Sequence, residues 1–548
     1  MIENDYRDLK FLIVDDFDTF QKILKRLLHG LSAQDIDMAL TGAQAIKACK
    51  QQKYDVIFCD FDLGKGINGL QVLEELRYLE LLKSSTVFIM VTAESGRDAV
   101  VGAMEYKPDA YMNKPVSSGE LQARLVKSLK QKQALASIYR HLDNGDYQKA
   151  IVECDEHISK GSRHKNFCLK TKGNLLLKSG RSQEAQTLYE NVLKERPLFW
   201  AQIGLAHVLA EQDLNNDALQ AFQKAYEENP ASLEAFEGAA RTLVKLGDAN
   251  AAQKLLEKSS TISSRSVTRQ KLLADICKVN GDFEGAAKAS RRVVKLAEYG
   301  IHKSADNDLD LADNLTEAAL HSTNEERTKD LAHEALETLK NTQKEYDNQD
   351  VAIQSKLVES RAQVSLNHPN EAQQALHDAE QKMQMASGKA SLRTQLELTK
   401  SYLQTGHKDK AHELLTILAE QYRNDPNVSA LLDQLTDEPV TQSGKREVVR
   451  INKKGIAMFD EGEYQKAIEL FSQAIQRFPK HLGIRLNVIQ SFLFEMKKKG
   501  PSQKKLALCE HHMNTIKNLD ENNKQFKRYL SFQAALKALN QHLNKKAS

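Results

Sequence analysis

Two adjacent carboxylates ending an apolar run, Phe11-Leu12-Ile13-Val14-Asp15-Asp16, are the first residues in this chain placed to do chemistry. The pattern returns in Val56-Ile57-Phe58-Cys59-Asp60. A third run, Val87 to Val91, ends in Thr92-Ala93-Glu94, and Ala110-Tyr111-Met112 precedes Asn113-Lys114-Pro115. Carboxylates crowded together repel one another, so either protons are retained or a cation sits among them. Mg²⁺ suits such a set, being a hard ion that takes oxygen ligands and is completed by phosphate oxygens. A carboxylate can also attack phosphorus and become an acyl phosphate. Lys114 would then neutralise phosphoryl charge, and the Thr92 hydroxyl would donate to a phosphoryl oxygen.

Bringing these residues together requires a sheet. Each apolar run reads as a buried strand, and in a parallel α/β sheet the strand ends share the edge where such folds place their sites. The intervening stretches read as helices. Phe20, Ile23, Leu24, Leu27 and Leu28 recur at helical spacing, and so do Ala45, Ile46 and Cys49, then Leu70, Leu73 and Leu76. Thr41 with Gln44 and Ser117 with Glu120 form capping boxes that open helices. Strand and helix in alternation imply a parallel sheet covered on both faces.

At these positions residues 8 to 130 resemble the receiver domain of bacterial two-component response regulators, on the strength of Asp15-Asp16, Asp60, Thr92 and Lys114-Pro115. The resemblance implies a flavodoxin-like, doubly wound five-stranded parallel sheet. It also implies that Asp60 is the phosphoacceptor, that Asp16 and Asp60 ligate Mg²⁺ directly and Asp15 through water, and that the Asp62 backbone carbonyl completes the protein's share. Asp62 and Glu94 stand where the family tunes phosphoryl lifetime. Lys114-Pro115 resembles a bond that is commonly cis in the family, a form tolerated before proline. Tyr111 is either the family's switch aromatic or plain core filling. The loop Leu63-Gly64-Lys65-Gly66-Ile67-Asn68-Gly69 departs from the family in being glycine-rich and one residue longer.

Beyond the receiver the signal becomes an internal repeat. Gly145-Asp-Tyr-x-x-Ala150, Gly180-Arg-Ser-x-x-Ala185, Gly247-Asp-Ala-x-x-Ala252 and Gly281-Asp-Phe-x-x-Ala286 share one grammar, and Asp213 to Ala218 is a version without glycine. The alanines step by 35, 33, 34 and 34 residues, a period of helix-turn-helix repeats. Pro197 and Pro230 stop helices. The stretch resembles tetratricopeptide (TPR) repeats, most clearly at Gly455, Gly462, Tyr464, Ala467, Phe471, Ala474 and Pro479. Asn367 to Ala372 and Gly406 to Ala411 look like two looser copies, with longer helices or swollen loops. Asp306-Asn-Asp-Leu-Asp is a helix start rather than a calcium loop, lacking the glycine and distal glutamate. The expected layout is receiver 1–130, TPR-like repeats 131–300, divergent repeats 301–436, linker 437–446, and a last repeat with capping helices 447–548. Between receiver and repeats, Ser118 to Asp143 forms either one rigid helix or two, broken within the solvated junction Lys130-Gln131-Lys132-Gln133.

Such a solenoid offers a long concave surface for a peptide or protein. Lys170 and Asn174 sit where some members of the TPR family grip a terminal carboxylate, but Gly204 replaces the third polar partner, so a complete clamp is not expected. The formal charge is +3, yet from Lys480 to Ser548 there are 14 Lys and Arg against 4 Asp and Glu, so the remainder is net negative. The basic end, with Lys497-Lys498-Lys499 and Lys504-Lys505, suits an acidic protein or RNA. Sparse aromatics there speak against base stacking, and His511-His512 read as surface residues. Six cysteines without a Cys-x-x-Cys spacing argue against zinc and disulfides. No run approaches a membrane span and no leader opens the chain, so a soluble cytoplasmic protein is expected. No DNA-binding domain or output-enzyme motif stands out. The expected function is a response regulator, phosphorylated on Asp60 by a sensor histidine kinase or phosphotransfer protein and signalling through its repeats. The alternatives are a constitutive TPR scaffold whose receiver drains phosphoryl groups and, further off, an RNA-binding regulator.

Overall fold

The computed structural model describes residues 6–93, 102, 105–386, 390–516 and 519–547. The chain divides into two compact units, the first comprising Met1–Thr242, Gln253–Leu272 and Arg292–Ser304, the second Leu243–Ala252, Leu273–Arg291 and Ala305–Ser548.

In the first unit, β1 (Lys10–Val14), β2 (Asp35–Ala39), β3 (Val56–Asp60), β4 (Val87–Thr92) and β5 (Ala110–Asn113) form one sheet in the order β2-β1-β3-β4-β5. Every pairing is parallel. Alternate residues of the central strands feed two cores. Leu12, Val14, Ile57, Cys59, Phe88 and Met90 pack against α2 (Gly42–Gln51) and α3 (Gly69–Tyr78). Phe11, Ile13, Val56, Phe58, Val87 and Ile89 pack against α1 (Asp18–Gly30) and α4 (Ser118–Ala134). Burial on both faces explains why these strands read as unbroken apolar runs. β2 is an edge strand with alternating exposure, which is why no apolar run announced it.

Three local expectations change. Ile23 is exposed while Gln21 takes the interior place, so the α1 stripe is Gln21, Leu24 and Leu28. The Thr41 hydroxyl caps α2 by accepting from Gln44, but the Gln44 side chain accepts from Leu40 rather than from Thr41; the full reciprocal box is Asn68 with Gln71 at the start of α3. The helix from Ser118 is not one bar: it breaks at Leu135 before α5 (Ala136–Asp143), past the stretch expected to yield. Nor is that stretch a solvated junction, because Lys132 is pinned by Asp109 at 2.8 Å and the Ser84 carbonyl at 2.6 Å.

Helix pairs follow, Lys165–Lys178 with Ser182–Glu195 and Phe199–Glu211 with Asn215–Glu228. Their turns need a left-handed residue: Gly180 has a φ of 71° and Asp213 takes the same role at 57°, as Gly145 does at 72° between α5 and the helix Tyr147–Ser159. That is why the copy without glycine still keeps register. In the second unit the looser period has a simple cause, since Ala305–His321, Glu325–Glu345, Gln349–Ser365 and Pro369–Met385 are longer helices. The helix Gln442–Asp460 begins inside the expected linker, because the Asp433 carboxylate accepts from the Thr441 amide and hydroxyl, and Thr441 in turn caps that helix. His511 and His512 are partly buried, His512 stacking on Phe492, and are not surface residues. Lys499 and Lys505 of the basic end pair internally with the buried Glu495. Among the described residues no helix is long and apolar enough to cross a membrane, and all six cysteines are buried thiols.

Candidate functional site

The strand order reverses between β1 and β3, which lie side by side with Val14 opposite Cys59. The next residues therefore leave the sheet together at its switch point. Carboxylate oxygens of Asp15, Asp16 and Asp60 lie within 4.8 Å of one another. Asp15 and Asp60 are buried, and Asp16 is open to solvent. The loop after β5 sends back Lys114, whose ammonium donates to Asp15 and Asp60, each at 2.6 Å. The Lys114 amide donates to the Thr92 carbonyl at 2.7 Å, and the Lys114-Pro115 bond is cis. Thr92 is buried at the end of β4.

The electrostatics follow from this crowding. Burial pushes the Asp60 carboxyl up to about 6, with the Asp15 charge adding and Lys114 opposing. Burial also raises Asp16. Burial works against the Lys114 ammonium, but its two carboxylate partners prevail and its pKa rises.

Two residues that the sequence did not single out for the site build its floor. The Gln21 amide donates to the Asp15 and Ala39 carbonyls, both at 2.7 Å, tying the ends of β1 and β2. The Phe20 ring lies 4.2 Å beneath the Lys114 ammonium, a cation–π contact. A polar residue on an otherwise apolar helix face was the available signal for Gln21. Replacing Gln21 with methionine strips the buried Asp15 carbonyl of its donor and is expected to cost about 1–3 kcal/mol, read as faster amide exchange in β1.

Asp62 is exposed: its amide reaches Asp60 Oδ1 at 3.4 Å and its carboxylate accepts from Gly64. Tyr111 is half-buried against the α2–α3 core. Glu94 lies outside the described residues. In the repeats, the structure does not join Lys170 and Asn174 into a clamp. Asn174 accepts from the Tyr189 hydroxyl at 3.3 Å, and the same ring occupies the space a side chain at Gly204 would need.

With this geometry in place, comparison with known proteins is informative. Residues 11–126 match the response regulator receiver domain family, 132–258 the Psidin N-terminal TPR repeats region, and 453–481 the tetratricopeptide repeat. The chemotaxis protein CheY-3 of Vibrio cholerae is 32% identical over 121 residues, covering 22% of this chain and 92% of that protein. The chemotaxis protein CheY of Pseudomonas aeruginosa is 33% identical over 119 residues, covering 22% and 94%. Among solved structures, a CheY-like receiver domain from Methylobacillus flagellatus is 27% identical with a TM-score of 0.20, covering 22% of this chain and 98% of its own. A tetratricopeptide repeat protein from Parabacteroides merdae is 15% identical with a TM-score of 0.29, covering 50% and 98%. By its receiver domain the chain belongs to the response regulator family, with TPR repeats following.

Proposed function

We propose that Asp60 accepts a phosphoryl group and that its phosphorylation controls capture of a protein by the repeats. The observation that carries this reading is Lys114 bridging Asp15 and Asp60 beside the open carboxylate of Asp16. An Asp60 oxygen forms the new bond to phosphorus, and the bond from phosphorus to the donor breaks with the donor keeping the electron pair. A sensor histidine kinase or phosphotransfer protein is the donor.

The donor set fits Mg²⁺: three carboxylates, one open to water, give a hard oxygen site that leaves positions for phosphate oxygens. Asp16 and Asp60 would hold the ion, with the Asp62 carbonyl. Asp15, whose oxygens already accept from Lys114 and from the Phe17 amide at 2.9 Å, would act through water. Bound there, Mg²⁺ would offset the charge of the phosphoryl oxygens. Lys114 and the Thr92 hydroxyl then orient and stabilise the acyl phosphate. Beyond its own phosphoryl transfer and loss, no reaction is assigned to the chain.

Radiolabelled acetyl phosphate with Mg²⁺ tests this. Label is expected on the wild type, located at Asp60 by borohydride trapping and mass spectrometry, and abolished by Asp60→Ala or by EDTA. Equal labelling of Asp60→Ala, or none of the wild type, defeats the assignment.

A further inference from the structure

Away from the acidic site, the first unit holds a wholly buried cation in Arg269, on the helix Val267–Val279. Its guanidinium donates to Glu105 at 2.8 and 3.1 Å and to Glu237 at 2.7 Å. A guanidinium at such depth persists only where carboxylates pair it, and removing a partner is costly. Glu237 comes from the repeat helix Leu233–Leu246, whereas Glu105 belongs to the receiver. Glu237 alone would balance the charge. Glu105 adds a second carboxylate to the arginine; burial raises the Glu237 carboxyl, Glu105 adds, and Arg269 and Arg241 oppose.

Most of the rest of this contact has the same polarity, the exception being Lys107 of the receiver, which meets Glu234 of the repeats at 3.8 Å. The repeats bring Arg265, whose guanidinium lies 4.7 Å over the ring of Phe61, and His302, which meets Glu74 at 2.8 Å. The receiver brings Glu74, Glu75 and Glu105. Gln71 donates to the Leu296 and Tyr299 carbonyls at 3.0 and 3.1 Å. The contact therefore begins one residue after Asp60. Gly69 is held against the Asp60 carbonyl so closely that a side chain there would collide with it, and its amide donates to the Phe61 carbonyl at 2.9 Å. The Asn68–Gln71 cap thus links the acceptor backbone to the repeats without passing through Thr92 or Tyr111.

We propose that the repeat face around Arg269 is the chain's output surface, that it takes a protein segment presenting a carboxylate to Arg269, and that the receiver closes it by supplying Glu105 in that segment's place. The proposal rests on the reading of the receiver as a controller of partner capture. Charge complementarity selects the partner: among the described residues the groups pairing with the arginine are the carboxylates of Glu105 and Glu237. Tethering gives the receiver an effective concentration of about millimolar, so an outside acidic segment gains access chiefly when the receiver leaves.

The test uses the full chain and a fluorescein-labelled peptide with the sequence of residues 102–111, alongside the same peptide carrying glutamine at position 105. Glu74→Ala combined with Glu105→Ala removes two receiver contacts and is expected to raise affinity for the glutamate peptide at least tenfold over wild type, but not for the glutamine peptide. Arg269→Met is expected to release the receiver without gaining the peptide. Spin labels on the exposed positions of Arg26→Cys and Lys254→Cys report release in both variants, and circular dichroism confirms that both are folded. Equal peptide affinity in wild type and Glu74→Ala/Glu105→Ala, or binding that survives Arg269→Met, overturns the proposal. If the double variant gains the peptide while acetyl phosphate leaves wild-type affinity unchanged, the assignment of the Arg269 surface stands and control by phosphorylation falls.

Discussion

Lys114→Met is expected to loosen the metal-free receiver by about 3 kcal/mol at pH 8, the scale for removing one partner from a buried ionic cluster. The ammonium holds Asp15 and Asp60 at 2.6 Å each, and both carboxylates are buried. Methionine keeps most of the length of the stem and loses the ammonium that lies over the Phe20 ring, so lost charge rather than lost packing dominates. The sign with pH is fixed. The pKa of Lys114 is raised in the folded state, so its contribution is fully present below the unfolded lysine value and disappears only in strong alkali. At pH 8 the whole deficit is therefore visible. Below about pH 6 the Asp60 carboxyl takes up a proton, the repulsion it shares with Asp15 fades, and the deficit narrows. Amide exchange at Ile13 and Phe58, both deep in the sheet, reads this locally, which matters in a chain whose two units need not unfold together. Millimolar Mg²⁺ should recover more stability in the variant than it adds to the wild type. Exchange at pH 8 unchanged by the substitution would show that the ammonium does not hold the acids together.

The same cluster shows where sequence reading succeeds. Asp15, Asp16, Asp60 and Thr92 each close a run that a doubly covered strand carries, so position along the chain fixed position in space, whereas Lys114 follows the short edge strand β5 and was marked by its own Asn-Lys-Pro. β2 escaped because an edge strand keeps one face open and its residues alternate. Gln21 escaped because its value lies in two carbonyls contributed by different strands. The turns were legible as glycine, and Asp213 and Asn367, with φ of 57° and 58°, show that the backbone angle rather than the residue is what the repeat requires. The buried arginines were not legible at all. Arg361 pairs with Asp313, Glu317 and Glu397, which lie 36 to 48 positions away, and Arg269 pairs with Glu105, 164 positions away. In sequence each is a lone charge on a helix, which ordinarily means a solvated face. Only packing reveals that the face is closed.

Asp60→Asn should stabilise the metal-free receiver by about 2–3 kcal/mol at pH 8 and change little at pH 4. The folded Asp60 carboxyl sits at about 6, against about 4 in an unfolded chain, because burial and the Asp15 charge outweigh Lys114. A raised carboxyl pKa means the folded state binds the proton more tightly. Its stabilising contribution is complete below pH 4 and lost as the pH climbs through 6, at about 1.4 kcal/mol for each pH unit between the unfolded and folded values. Asparagine keeps the shape and the neutral state at every pH, so wild type and variant coincide in acid and separate between pH 4 and 6. Lys114 retains Asp15, which leaves that pair neutral in the variant. Mg²⁺ reverses the ranking. It needs the ionised carboxyl, so wild-type affinity should fall about tenfold per pH unit below pH 6, whereas the variant binds weakly throughout. Isothermal titration at pH 5, 6, 7 and 8, beside amide exchange in EDTA, measures both halves. A wild-type stability that stays flat from pH 4 to 8 would mean that Asp60 ionises without strain, and the site would then have no stored repulsion for a cation or a phosphoryl group to relieve.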